Sequence, residues 1–192
     1  MLRRAKDRTP VPAPFWHTRR VRQSPTRVPP DVDGYAERVR ADSRNGKCFI
    51  CSIIAGERDD HLVIYRDEIC IAFLNRFPTL LGYSLLAPIE HRTGVVTDFT
   101  EDEYVELQRR VHRLGIVLST VVPTERLYVL SLGSHHGNRH VHWHLAPLPP
   151  DVPYEEQQYA ALMHENGYLD VSSDEQWKLA KRIADTLAHD EP

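Results

Sequence analysis

Three histidines stand at alternate positions in His140-Val141-His142-Trp143-His144-Leu145-Ala146-Pro147. If this run is a strand, side chains alternate faces with a period of two, so the three imidazoles share one face and Val141, Trp143 and Leu145 share the other. Buried imidazoles need partners for both ring nitrogens, so the polar face is a candidate site and the apolar face a candidate core. Three chemistries fit such a run. It could ligate a metal, hold a nucleophile with its phosphate-binding neighbours, or be a plain structural run. A single ion bound by all three rings is geometrically strained, because same-face neighbours on one strand lie about 7 Å apart. A nucleophile needs only one ring at the reacting atom. A neutral imidazole attacks phosphorus when a backbone carbonyl holds its other nitrogen as a donor, and nearby rings and amides stabilise charge on the phosphoryl oxygens.

The elements that must position this run are short. Strand-like runs cover 61–65, 69–74 and 82–88, and Asn75 falls at a strand end facing a loop. Thr100-x-x-Glu103 is a capping box opening a helix to about Val121, with Tyr104, Leu107, Val111, Leu114 and Val117 or Leu118 on one face. Strands over 127–132 and 140–145 follow, joined by the loop from Gly133 to Arg139. After Pro147 the composition turns helical, with Pro153 in a first turn and Gly167 as a stop. Ser172-x-x-Glu175 opens a last helix whose stripe of Trp177, Ala180, Ile183 and Leu187 docks on the body. Upstream, helices are expected over 35–42 and over 48–55, the second ended by Gly56. The fold class is α+β.

The 192 residues divide into a basic arm (1–34), a domain (35–150) and a C-terminal helical extension packed on it (151–192). The arm is rich in proline and is expected to be disordered. Residues 1–28 hold eight Lys or Arg against one acid, so with a formal net charge of −3 the rest of the chain carries about −10. An acidic body argues against nucleic-acid binding by the folded domain, which rests on neutralising phosphates, whereas the arm could touch RNA, DNA or an acidic partner. No apolar run approaches the roughly 20 residues of a membrane span, no secretory leader is evident, and three cysteines do not suggest a disulfide framework. These features place the chain in the cytoplasm as an expectation, where Cys48-x-x-Cys51 is a metal-binding or redox pair rather than a bridge. Cys70 reads as core.

The run from His140 to Ala146 resembles the His-φ-His-φ-His-φ-φ signature of the histidine-triad (HIT) superfamily. The likeness extends to 48–57, to Ala72-Phe73-Leu74-Asn75, to Pro78 and Gly82, and to Pro88-Ile89-Glu90-His91, covering about 46–150. It implies an antiparallel sheet of about five strands with a long helix. It also implies a hydrolase or nucleotidyltransferase of the dinucleoside polyphosphate or nucleoside phosphoramidate type. His142 would be the nucleophile, His144 would contact the α-phosphate, and the His140 carbonyl would orient His142. Asn75 would meet the ribose, and Phe49, Ile50, Ile53 and Phe73 would form the base slot, though each of these apolar residues could equally be core. The alternative is a non-catalytic nucleotide-binding module of the same fold. The resemblance further implies a homodimer and a structural Zn2+ on Cys48, Cys51, His91 and His140. Three departures stand out. The loop before the triad lacks the usual Gly-Gln segment, leaving Asn138 as the candidate phosphate contact with Ser131 and Ser134 behind it. Tyr83 stands where a histidine is common. Trp143 exceeds the usual aliphatic, so its face should pack against an added element such as the C-terminal helices.

Overall fold

Alternating residues on five short runs separate two apolar faces, and the sheet in the computed structural model follows from that separation. The structure describes residues 26–29, 34, 37, 41, 42, 44–132 and 139–189. The expected helix over 35–42 and the expected disorder of the arm lie almost wholly outside the described residues. The elements run β1 (Arg27–Val28), α1 (Phe49–Ile54), β2 (Val63–Arg66), β3 (Cys70–Leu74), β4 (Ser84–Pro88), α2 (Glu101–Val121), β5 (Arg126–Leu130) and β6 (Trp143–Leu148). Beyond them come short 3-10 turns, α3 (Tyr159–Leu162), β7 (Tyr168–Leu169) and α4 (Ser173–His189). Five strands form an antiparallel sheet in the order β2-β3-β4-β6-β5. A second, two-stranded ribbon pairs Arg27 with Leu169 and Val28 with Tyr168. The architecture is α+β, as the residue pattern predicts.

One face of the sheet is closed by α2 and α4. Ala72, Leu74, Leu86, Val141, Trp143 and Leu145 pack there with Leu107, Val111, Leu114 and Leu118 of α2 and with Leu179, Ala180, Ile183 and Leu187 of α4. The expected capping box on α2 forms, with Thr100 and Glu103 each accepting from the other's backbone amide. Gly115 lets α2 lie close to β5, since a Cβ there would stand 2.9 Å from Leu127 Cδ2. On α4 the stripe is shifted from expectation. Leu179 is buried, whereas Trp177 is 55% exposed. Positions 179, 180, 183 and 187 keep the helical spacing of one face, and position 177 falls outside it. Trp143 meets the rings of Phe99 and Tyr104, so its bulk is taken up at the start of α2 and not by the C-terminal helix, which packs on α2, β2 and β3.

The segment after β6 departs from the helical reading. It breaks into one-turn pieces, with Asp151 and Gln158 at positive φ and Gly167 at φ 82°. Prolines at 149, 150 and 153 interrupt any continuous helix there.

Asp67 ties the β2–β3 hairpin to α2. Its carboxylate accepts from the Ile69 and Cys70 amides, the Tyr65 hydroxyl and Arg110 Nε at 2.6–3.0 Å. Burial opposes the charged form, yet these donors outweigh it and hold the carboxyl at about 2. A depressed folded pKa means the stabilisation is complete above the unfolded value and is lost as pH falls toward 2. Asp67→Asn should therefore cost roughly 1–2 kcal/mol at neutral pH and flatten the stability change between about pH 5 and 2, as read by urea unfolding. An unchanged acid limb would show that Asp67 does not carry it.

Candidate functional site

The triad sits where β6 begins. β6 starts at Trp143, not at His140 as alternation alone suggests, and runs on to Leu148. Residues 140–142 leave the ladder because other groups take their backbone. Val141 N donates to Arg92 O at 2.8 Å, and the His142 carbonyl accepts from Ser131 Oγ at 2.8 Å. The face assignment nevertheless holds. Val141, Trp143 and Leu145 point into the helix-side core, and the three imidazoles occupy the other side.

His142 is buried, and its Nδ1 lies 2.7 Å from the His140 carbonyl. A carbonyl only accepts, so Nδ1 carries the proton and Nε2 keeps its lone pair. Burial drives the His142 pKa down, against the raising effect of that carbonyl, which keeps the ring neutral. The His144 ring lies 4.6 Å from His142, centre to centre, and burial pushes His144 down to about 3. Tyr83 Oη stands 3.0 Å from His144 Nδ1. Burial raises the phenol to about 12, so it keeps its proton. With Tyr83 as donor to Nδ1, His144 carries its own proton on Nε2. The Tyr83 contact is a site feature that the triad spacing does not reveal; its only sequence signal is the departure from histidine at 83.

The expected metal ligands are brought together from three separate segments. Cys48 is the N-cap of α1, one residue before the helix begins, and Cys51 lies within it. Cys48 Sγ and Cys51 Sγ stand 3.6 and 3.5 Å from His140 Nδ1, and Cys51 Sγ stands 3.3 Å from His91 Nδ1. All four ligand atoms lie within 4.8 Å of one another. A tetrahedral ion with bonds of about 2.0–2.3 Å has ligand–ligand edges of about 3.3–3.8 Å, and these three sulfur–nitrogen approaches fall in that range. His140 Nε2 lies 2.9 Å from Pro88 O, so it donates there and turns its Nδ1 lone pair to the thiols, the usual outer support of an imidazole ligand. The donor set fits a divalent ion of zinc type. Through its carbonyl, His140 also connects this cluster to His142.

The remaining expected residues divide. Phe49, Ile50, Ile53 and Phe73 share one cluster beside α1, but Ile50 and Phe73 are 0% and 1% exposed and serve as its interior. Phe49 lies on the outer side, with its ring 6.0 Å from His61. His61 packs edge-on to Phe73 at 5.6 Å and pairs through Nδ1 with Asp60 at 2.8 Å. Nothing in its spacing marks His61 as part of this wall. Asn75 follows β3 directly; its Oδ1 accepts from Phe77 N at 3.0 Å and its backbone N donates to Tyr83 O at 2.8 Å, which fixes its orientation. The Ser131 hydroxyl is committed to the His142 carbonyl. Asn138, Ser134 and the rest of 133–138 lie outside the described residues.

The model of the HIT domain family matches residues 56–150. An uncharacterized HIT-like protein of Saccharolobus solfataricus is 28% identical over 111 residues, which cover 55% of this chain and 78% of that protein. A solved hypothetical histidine triad nucleotide-binding protein from Sulfolobus tokodaii aligns with a TM-score of 0.59 at 24% identity, covering 74% of this chain and 93% of its own. A Zn-bound histidine triad family protein from Mycobacterium smegmatis aligns with a TM-score of 0.58 at 16% identity, covering 74% and 94%. The family match shows a HIT domain over residues 56–150, and the solved structures show that the chain shares the fold of histidine triad proteins.

Proposed function

We propose that the protein cleaves a nucleoside phosphate at its α-phosphorus, as a hydrolase or nucleotidyltransferase, through a nucleotidyl intermediate on His142. The observation that carries this reading is the neutral His142 ring, held by its own strand's carbonyl with the Nε2 lone pair available for attack. In the first step Nε2 bonds to phosphorus and the bond to the leaving group breaks, the leaving group taking a proton from solvent where it needs one. In the second step water or another acceptor attacks the phosphorus, and the N–P bond breaks to restore the ring. His144 Nε2–H would donate to a phosphoryl oxygen, and Asn75 would face the ribose. Phe49 and His61 would edge the base, and Asn138 would add a phosphate contact. Incubating the protein with dinucleoside polyphosphate and phosphoramidate substrates, quenching in a buffer that preserves N–P bonds, and mapping the adduct by mass spectrometry tests this. A nucleotidyl mass on the His142 peptide is expected. Turnover with the adduct elsewhere would overturn the role of His142, and nucleotide binding without turnover across the panel would overturn the proposal in favour of the non-catalytic alternative.

Tyr83 is assigned a positioning role. Tyr83→Phe removes the donor that fixes the His144 tautomer and should lower kcat by roughly 10–100-fold with little change in KM. The proton on His144 should also redistribute between its two nitrogens, as read by imidazole 15N shifts. A kcat within twofold of wild type would remove Tyr83 from the mechanism.

Cys48, Cys51, His91 and His140 would hold a structural zinc, which when bound fixes the ring and carbonyl of His140. Metal analysis should find about one zinc per chain, falling at least tenfold in Cys51→Ser together with a lower Tm. Metal-free wild-type protein of unchanged Tm would sink the assignment. Free thiols in this cluster suit a reducing compartment, in keeping with a cytoplasmic location. A homodimer formed by joining sheets would use an edge strand, and β5 is an edge with Val129 exposed. Among the described residues no helix is long and apolar enough to cross a membrane.

A further inference from the structure

In a regular strand the backbone carbonyls point sideways toward the neighbouring strands, at right angles to the side chains. A carbonyl so directed does not meet the ring two residues further along its own chain. His140 O nevertheless accepts from His142 Nδ1 at 2.7 Å. That contact requires the backbone at 140–142 to turn out of the sheet, and it does. The β5–β6 pairing ends with Leu130 opposite His144, and β6 begins at Trp143.

A chain that leaves a ladder gives up its hydrogen bonds there, and its buried polar groups need other partners. Two groups supply them, each at 2.8 Å: Arg92 O accepts from Val141 N, and Ser131 Oγ donates to His142 O. Val141 N and His140 O belong to one peptide plane, so the Arg92 bond sets the direction of the carbonyl that meets the His142 ring. The Ser131 bond holds the peptide plane on the far side of His142. Arg92 is itself anchored, since its guanidinium donates to Asp98 O and pairs with Glu90 and Glu103. Of the two clamps, only Ser131 acts through its side chain. Its hydroxyl has one proton, which is given to the carbonyl, and ionised phosphate oxygens only accept. Leu130 stands opposite His144, so alternation turns the next position, 131, away from the imidazole face. We infer that Ser131 is a positioning residue and not a phosphate contact. By holding the His142 carbonyl it keeps 140–142 out of the ladder, in the turn that lets the His140 carbonyl hold His142 Nδ1. The inference rests on the reading of His142 as the nucleophile.

Ser131→Ala should lower kcat roughly 10–100-fold with KM within about twofold of wild type, because a reacting group is misplaced and no substrate contact is lost. Ser131→Thr keeps the hydroxyl and should bring kcat back to within about threefold of wild type. A loss carried by KM instead would make Ser131 a substrate contact and overturn the inference, as would a threonine variant no better than alanine. Imidazole 15N shifts of His142, read on the full chain without substrate, supply an arm that needs no turnover. The wild type should carry its proton on Nδ1, Ser131→Ala should redistribute it between the two nitrogens, and Ser131→Thr should restore it. Inactivity on every nucleotide would strike the proposed reaction and leave this arm to decide. Redistribution in the alanine variant then upholds the clamp, and unchanged shifts overturn it whether or not the protein is active. Metal content should be the same in all three proteins; metal lost together with rate would place the effect at Cys48 and Cys51 and overturn the assignment.

Discussion

Replacing His142 with asparagine lowers kcat by about 10,000-fold or more on any nucleotide the wild type turns over, while nucleotide affinity changes little. The size follows from what is removed. The asparagine amide can still donate to the His140 carbonyl, but it has no basic lone pair to place on phosphorus. Direct attack by water would be left to the phosphate contacts alone. The substitution is smaller than the ring and keeps a donor, so the fold should persist, as checked by an unchanged far-ultraviolet spectrum and a Tm within a few degrees. The His142 peptide should lose its adduct at the same time. A residual rate within tenfold of wild type would mean that another group forms the bond to phosphorus.

Replacing Ile183 with alanine destabilises the chain by roughly 3–4 kcal/mol. Ile183 is fully buried in the cluster that joins α4 to α2 and to the back of the triad strand. The loss combines the transfer of the missing methyl groups with a cavity that two rigid helices close only partly. Backbone ties hold those helices in place, since Arg113 donates to Leu187 O and Arg182 to Val121 O. Lys178→Ala on the opposite, solvent-facing side should stay within about 0.5 kcal/mol. Urea unfolding of both variants measures the contrast. Equal small losses would show that α4 contributes little to the core.

Where the fold rests on local pattern, it was legible in the residues. The α2 bounds follow from a capping box and an apolar stripe, and the faces of 141–145 follow from strict alternation. Alternation could not tell a strand from an extended segment held otherwise. Whether 140–142 join the ladder depends on Arg92 O and Ser131 Oγ, which lie far along the chain. The same limit applies to the site. Cys48-x-x-Cys51 suggested thiol ligands, but their association with His91 and His140 came from the family resemblance, because spacing says nothing about residues 40 and 92 positions away. The hydroxyl of Tyr83 on His144 and the ring of His61 against Phe73 were invisible for the same reason. In α4, an exposed tryptophan at 177 was read as core because an aromatic ring weighs heavily in an apolar stripe, whereas the helical phase favours Leu179.

The place of α4 in the main core has a consequence for how this protein can be divided. Cutting the chain at residue 150, where the family match ends, would strip Leu179, Ala180, Ile183 and Leu187 from α2 and the β2–β3 end of the sheet and leave apolar surface there open to water. The ribbon of residues 27 and 28 with 168 and 169 would lose its second strand in the same cut. Residues 173–189 thus form a structural wall, and the smallest unit able to fold by itself reaches past residue 150.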